Sequence, residues 1–574
     1  MVYLNYLHIL FLNIIIAMIF ISHGIFFFKK ILRFNNAENN IYEYGLFGII
    51  SISLYSFILN FFFALADPLN LILLLFPIFF ILKFIKKSFF ISSAIIGLIS
   101  FVIMILENSN RPDAGLYHLP YIRILNEYKI IFGLSNLHFR FAHTSILQYL
   151  AAPFNNFLFT ENGILIPLAQ IFSFIVLFFI YEIKSKIHSN FYKLLIFLFL
   201  FNILILMNRY GEFGNDSPAH MFFFLSIIKL FSNSYMNKET QFVKILFSSL
   251  YAFLIKTFLI FAFFIPLFFL YKNKKFFAKF FFTKKTLLVS TIILLWFIKN
   301  FIQSGCLIYP LNITCSKSVS WSSYLNKMSN PKIQEISGEA WSKDFPNREN
   351  KKILEEEYIS NLDWINTWRK VHFSVVVKSL LPILVLVILF KIIKYNNLRH
   401  KDLISFRKEV SFLLILSFFT SLYWFFKFPL FRYGSSYLIS LIIFIYIFSL
   451  YFEKKKSFYQ KEIKFLKNII LIIFFILLLK NFKRFYLNYD QIYNDYPWPK
   501  KNSFTLTNEK FPNREKRNED NKIIYYYSTT PDGLCMFSSK APCVYGNSDE
   551  IGEIIKKESS FNYIFFYNKI LSTR

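Results

Sequence analysis

The chain has 574 residues, 55% of them hydrophobic and 21% aromatic, with 79 phenylalanines and only 15 glycines. No soluble domain of this size needs so much apolar surface, so the composition excludes a water-soluble enzyme and points to an integral membrane protein. A formal charge of +30 would suggest nucleic acid in a soluble protein. No nucleic-acid-binding motif accompanies it, and in a membrane protein such charge gathers in cytoplasmic loops beside anionic lipid. The lipid bilayer is the expected partner, and nucleic acid is not.

In chain order, apolar runs fall at 4–28, 44–65, 68–84, 89–106, 163–182, 190–207, 218–233, 241–271, 286–302, 372–392, 410–427, 433–452 and 467–480. The run 241–271 is too long for one crossing and carries Lys256 near its middle, so it reads as two short helices and brings the total to about fourteen. The expected fold is an all-α polytopic membrane protein with a small C-terminal extracytoplasmic α/β domain. Its parts are transmembrane helices over 1–106, a loop over 107–162, helices over 163–302, a loop over 303–371, helices over 372–480 and a soluble domain over 481–574.

Lys29, Lys30 and Arg33 follow the first run and nothing basic precedes it. That asymmetry puts the N-terminus outside and argues against a cleaved signal peptide. Alternating from there, the clusters at 83–87, 184–186, 272–285, 391–408 and 454–456 all fall inside, provided that 241–271 crosses twice. The loops 107–162, 208–217, 303–371 and 428–432 then lie outside with the C-terminal tail. The expected location is a multi-pass protein of a bacterial inner membrane with both termini extracytoplasmic.

All four cysteines fall on that oxidising side, Cys306 and Cys315 in one loop and Cys535 and Cys543 in the tail. Local pairing predicts two small disulfides, with free thiols as the alternative. In the tail, the runs from Lys522 and from Phe561 read as two buried strands around a Cys-bearing hairpin.

Polar chemistry concentrates in Arg111 to Arg140. Asp113 lies just past a helix end, and Gly115 to Tyr128 reads as a short interfacial helix with Pro120 tolerable only in its first turn. Beyond it, Asn136, His138 and Arg140 alternate with Leu137, Phe139 and Phe141, the period of an extended segment with one polar face. An amide, an imidazole and a guanidinium in one row suit a phosphate or a sugar.

The run Asp113-x-x-x-Tyr117-His118-Leu119-Pro120, opening the first large outer loop of a many-helix protein, resembles the membrane glycosyltransferases of the C-type fold. The likeness is to their protein-mannosyltransferase-like and aminoarabinose-transferase-like branch. Three further segments are similar to motifs of that family: Asn215-Asp216-Ser217-Pro218, Lys299-Asn300 through Ser304-Gly305 to Tyr309-Pro310, and Phe428-Pro429-Leu430-Phe431-Arg432-Tyr433. The chain departs from the pattern in three ways. Three extra helices precede the loop, Ala114 stands where a second acid is usual, and Ser435-Ser436 replace a late proline.

The resemblance implies transfer of a sugar from a polyprenyl-phosphate donor to an extracytoplasmic glycan or lipid acceptor of the cell envelope. Asp113 would be the general base. Arg432 with Arg123 or Arg140 would hold the phosphate, and Tyr117, His118, His138 and Asp216 would contact sugar or acceptor. No cofactor is certain, and a divalent metal stays open as an alternative but is not favoured, since His118 and His138 have no third ligand at a convincing spacing.

Each residue also has a plainer reading. Asp113 suits a solvated helix end, Asp216 a helix cap with Ser217, and Arg432 a side chain snorkelling to headgroups. Lys256, within an apolar stretch, is costly unless it is paired, which makes it a functional hint. Two other functions fit a chain of this type. A transporter or lipid-linked-sugar flippase needs repeated halves and Gly/Pro-broken spans, and glycine is scarce here. A surface-polysaccharide polymerase or ligase would depend on arginines in a large late loop.

Overall fold

The computed structural model describes residues 2–34, 40–81, 86–106, 113–206, 213–232, 237–276, 281–345, 354–392 and 404–452. Further on it describes isolated positions between 468 and 487, and then 513–517, 523–529, 535, 540–544 and 554–568. The expected span 467–480 and the residues Arg111 and Pro112 lie mostly or wholly outside those described. Among the described residues eight helices are long and apolar enough to cross a membrane, and three further apolar helices are shorter.

The first layer is α1 (Val2–Phe26), α2 (Ile41–Asn60), α3 (Leu69–Ile81) and α4 (Lys87–Leu106). Here α1 packs along α2 at very close range, for a Cβ at Gly48 would meet the Phe20 carbonyl oxygen at 1.7 Å. Only a glycine admits that approach. The outer loop follows with α5 (Leu119–Glu127) and α6 (Ile146–Ala151). Next come α7 (Ile166–Lys184), α8 (Asn190–Leu206), α9 (Asp216–Phe231) and α10 (Lys238–Ile255).

The expected break at Lys256 is present. Lys256 takes φ −147° and ψ 108°, outside any helix, and 3₁₀ turns over Thr257–Phe263 lead into α11 (Phe264–Lys272). After α12 (Lys284–Ser304) the second outer loop folds as α13 (Pro331–Ser342), α14 (Glu355–Ser360) and α15 (Trp364–Val371). The last described helices are α16 (Phe373–Ile392), α17 (Arg407–Lys427) and α18 (Phe431–Ser449). A continuous apolar core of phenylalanine, leucine and isoleucine joins these helices.

Both disulfides form as expected, Cys306–Cys315 and Cys535–Cys543, with Cα separations of 3.9 and 5.9 Å. The described part of the tail is two small sheets. One has β1 (Asn513–Arg517), β2 (Ile523–Ser528) and β3 (Cys543–Val544) in that order, and the other pairs β4 (Ile554–Glu558) with β5 (Ile564–Asn568). The two expected strands are therefore real, and most of the stretch expected as a Cys-bearing hairpin lies outside the described residues. Cys543 lies in β3, which runs parallel to β2, so the connection between them is a crossover and not a tight turn.

The tail docks on the first outer loop. Phe132 adds as a parallel bridge to β5, exchanging backbone hydrogen bonds of 2.9 Å with Ile564 and Phe566. At Gly133, φ is 65° and an added Cβ would meet the Phe566 carbonyl oxygen at 2.3 Å, so both backbone conformation and space demand glycine there. Tyr128 reaches the Ala541 carbonyl at 3.1 Å. Loop and tail thus occupy one end of the molecule.

Candidate functional site

Asp113 precedes a π-helical turn, Ala114–His118, closed by the Leu119 N–H donating to the Ala114 carbonyl. α5 continues that turn without a break, so Pro120 lies inside a helical run and its missing N–H leaves one bond of the run unmade beside the wide turn. The wide turn brings Asp113, Tyr117 and His118 toward one side, a geometry often found where a helix serves a site.

Four separate stretches of chain converge on that side. Arg432, in the first turn of α18, places Nη1 3.4 Å from Asp113 Oδ2 and Nε 4.0 Å from Asp216 Oδ2. Arg140 Nη1 approaches Asp113 Oδ1 at 3.8 Å, and Lys256 is ion-paired with Asp216. Three cations therefore face two carboxylates, leaving one positive charge in excess. Aromatic rings wall the cluster. Arg140 stands over Tyr117 at 5.1 Å, Lys256 over Tyr433 at 3.9 Å, and Arg432 over Tyr433 at 5.2 Å and Trp341 at 5.5 Å.

The backbone that presents Arg432 is held on three sides. His220 Nε2–H donates to the Arg432 carbonyl at 2.9 Å, so its Nδ1 accepts from the Ser436 hydroxyl at 2.8 Å. The indoles of Trp368 and Trp424 donate to the carbonyls of Pro429 and Leu430, each at 2.7 Å. A guanidinium on so fixed a turn is pre-set for its ligand.

His118 is buried, accepts from the Gln148 amide at 3.2 Å and packs on Phe213. Burial lowers its pKa to about 4 despite the nearby carboxylates of Asp113 and Asp216, so it is a neutral hydrogen-bonding imidazole at pH 7. Burial pushes the Tyr117 hydroxyl up, and the Asp113 charge adds to this. For Asp216, burial raises the carboxyl pKa, but Lys256 and Arg432 outweigh it and the net direction is down.

The expected extended row from Asn136 to Arg140 is not what forms. Two 3₁₀ turns, Leu134–Asn136 and Phe139–Ala142, flank His138, which alone is extended at φ −161°. The apolar residues Leu137 and Phe141 bury by tightening the chain into turns, and this turns the polar side chains apart. Asn136 faces inward and donates to the carbonyls of Trp321 and Phe566, both at 3.0 Å. His138 is buried as well, with Nδ1 accepting the Arg140 N–H at 3.2 Å and its ring on Phe139 at 4.7 Å. Burial lowers the His138 pKa to about 3. Of that row only Arg140 reaches the cluster.

Arg123 lies further along α5 and pairs with Glu127 at 2.6 Å, so the phosphate role shared between Arg123 and Arg140 has only Arg140 beside Asp113. Among the described residues no three His, Cys, Asp or Glu side chains gather as a metal site.

Several contributors carried no functional expectation from sequence. His220 stands four residues after Asp216 on one helix, a spacing that puts both on one face. Trp341 and Gln148 carry no such local signal.

A family model described as a domain of unknown function (DUF8201) matches residues 7–439. No curated protein and no solved structure matches the chain.

Proposed function

The chain belongs to the DUF8201 family, a membership that names no activity, and from its own side chains we propose a polytopic membrane glycosyltransferase of the C-type kind. It moves a sugar from a polyprenyl-phosphate donor to an extracytoplasmic acceptor of the cell envelope. In this reading the chain crosses a bacterial inner membrane about fourteen times, with both termini outside.

One observation carries the reading. Arg432, from the late motif, stands between Asp113 and Asp216, from the first and second motifs, with Arg140 and Lys256 alongside. An excess cation among half-open carboxylates suits a ligand that is part anion and part hydroxyl.

The acceptor hydroxyl oxygen attacks the anomeric carbon as the bond from that carbon to the phosphate oxygen breaks. The proton passes to Asp113, and the electron pair leaves on the lipid phosphate, facing Arg432 and Arg140. A single displacement inverts the anomeric centre. The cations act most strongly as charge develops on the leaving group, and neutral His118 orients a hydroxyl.

The transporter reading has one observation in its favour, the buried group of Glu43, Lys229 and Lys244. Glu43 and Lys229 lie within a turn of helix ends, not at mid-span, and the three satisfy one another, which fits a structural tie better than a transport path.

The test uses purified full-length protein and a panel of polyprenyl-phosphate sugars. Wild type should bind and turn over one of them, and Arg432→Ala should weaken donor binding by at least roughly tenfold, the worth of charge-assisted hydrogen bonds. If no such lipid binds, or if Arg432→Ala binds it as wild type does, the proposal is wrong.

A further inference from the structure

A cleft adjoins the charged cluster, and two of its walls belong to both. They are Trp341, whose ring Arg432 faces at 5.5 Å, and Leu430, two residues before that arginine. The remaining polar walls are Ser337 of α13, Asp344 just after it, Glu355 of α14 and His372 between α15 and α16.

The cleft has the opposite electrostatic character to the cluster. Asp344 and Glu355 contribute two carboxylates, and the basic group on its walls is His372, whose Nε2 lies 3.9 Å from Asp344 Oδ1. An anionic ligand is repelled here and drawn to Arg432 instead. The geometry is built, not incidental. Ser337 donates to Glu355 Oε2 at 2.5 Å, and Tyr358 donates to the Lys343 and Asp344 carbonyls at 2.9 and 3.1 Å. Asp344 takes φ 62°, the left-handed turn that ends α13, so it and Trp341, three residues apart, both line the cleft. Trp341 keeps 48% of its surface exposed, so part of its indole stays open beside the face that Arg432 covers.

An open indole beside carboxylates matches a ring with one apolar face and a rim of hydrogen-bond donors. We propose that this cleft is the acceptor subsite and takes a neutral or amino-bearing sugar ring, stacked on Trp341 with its hydroxyl or ammonium groups on Asp344 and Glu355. A uronate or phosphorylated sugar is disfavoured there by the two carboxylates. Trp341 then separates the two substrates, with phosphate on the Arg432 side and acceptor sugar in the cleft. The assignment as acceptor rests on the glycosyltransferase reading; the preference for uncharged or amino sugars rests on the cleft alone.

The experiment measures binding of methyl glucoside, glucosamine and glucuronate to the full-length protein in detergent by saturation-transfer NMR, in parallel with binding of a polyprenyl-phosphate sugar. Methyl glucoside and glucosamine should bind, with glucuronate at least roughly tenfold weaker. Trp341→Ala should weaken the first two by at least roughly tenfold, and Trp341→Phe should restore most of the loss, since a smaller aromatic face remains. Glu355→Gln should weaken glucosamine more than methyl glucoside.

Glucuronate binding as tightly as the others overturns the proposal. So does unchanged sugar binding in Trp341→Ala, as for a tryptophan that only anchors in lipid. Donor binding that depends on Arg432 together with absent sugar binding overturns the cleft while leaving the transferase. Trp341-dependent sugar binding without donor binding overturns the transferase and the acceptor role with it.

Discussion

Two charged groups built from similar side chains sit at opposite ends of α9. Asp216 opens that helix and Lys229 nearly closes it, about 20 Å apart at 1.5 Å per residue. Around Lys229, Glu43 contacts Lys229 at 2.5 Å and Lys244 at 2.7 Å, with side-chain exposures of only 1 to 4%. Around Asp216, Arg432 stands 3.4 and 4.0 Å from two carboxylates, and the three side chains are 27 to 37% exposed. The first group is closed, because its side chains are almost wholly buried and both of its contacts are short. The second is closed only where Lys256 pairs with Asp216; at Asp113, Arg140 and Arg432 the contacts are 3.4–4.0 Å and leave room for a ligand to shorten or replace them. Charge alone does not separate a structural tie from a site, but openness does.

The sharpest way to break that contrast is to neutralise one member of each group. Asp113→Asn keeps the shape and removes the proton acceptor, so sugar transfer should fall by roughly 10²–10⁴-fold. Its melting temperature should barely move, because the half-exposed side chain contributes within about 0.5 kcal/mol. Turnover and thermal unfolding on the same preparation check both halves. Near-wild-type turnover would remove Asp113 as base. Glu43→Gln should behave in the opposite way. Two buried ammonium groups lose their counter-charge, so stability should drop by about 3–5 kcal/mol while transfer per folded molecule stays unchanged. A mild melting change with lost transfer would show that the closed group is functional after all.

The parts of this molecule that could be read from sequence are those governed by local rules. The break at Lys256 followed from a charge inside an apolar run, the disulfides from cysteines close together in two loops, and Asp113, Asp216 and Arg432 from short motifs. The structure brings those three side chains together across hundreds of residues. What could not be read depends on partners distant in sequence. The alternation at 136–140 resembled a strand, but tertiary packing of Leu137 and Phe141 won over the local period, and the amide of Asn136 serves Trp321 and Phe566 instead of a ligand. Likewise β3 pairs with β2 in parallel, a choice that no local turn signal encodes. Asn136→Ala tests the reassigned role. It leaves two carbonyls short of a donor and should lower stability by about 1–3 kcal/mol, with transfer by the folded fraction retained. A change in donor affinity without a change in melting would restore Asn136 to the site.

The smallest expected effect concerns the buried imidazole of His138, which the structure assigns to the loop's architecture. Its folded pKa is about 3, against an ordinary value of 6.5. The unfolded chain therefore binds the proton first, so the neutral fold is at full stability above pH 6.5 and loses stability as pH falls from 6.5 toward 3. Between pH 7 and 6 the loss should be about 0.7 kcal/mol for this one group. His138→Asn offers a non-titrating oxygen where Nδ1 now accepts the Arg140 N–H. The difference in melting temperature between wild type and this variant should therefore be constant from pH 8 to 7 and shift in the variant's favour from pH 7 to 5. Other titrating groups cancel in that difference. A gap that stays flat down to pH 5 would mean that His138 is not held neutral, and a shift in favour of wild type would mean that it gains a proton on folding, as an imidazolium facing an anion would. Either result would place His138 with the open group around Arg432 and not with the closed one.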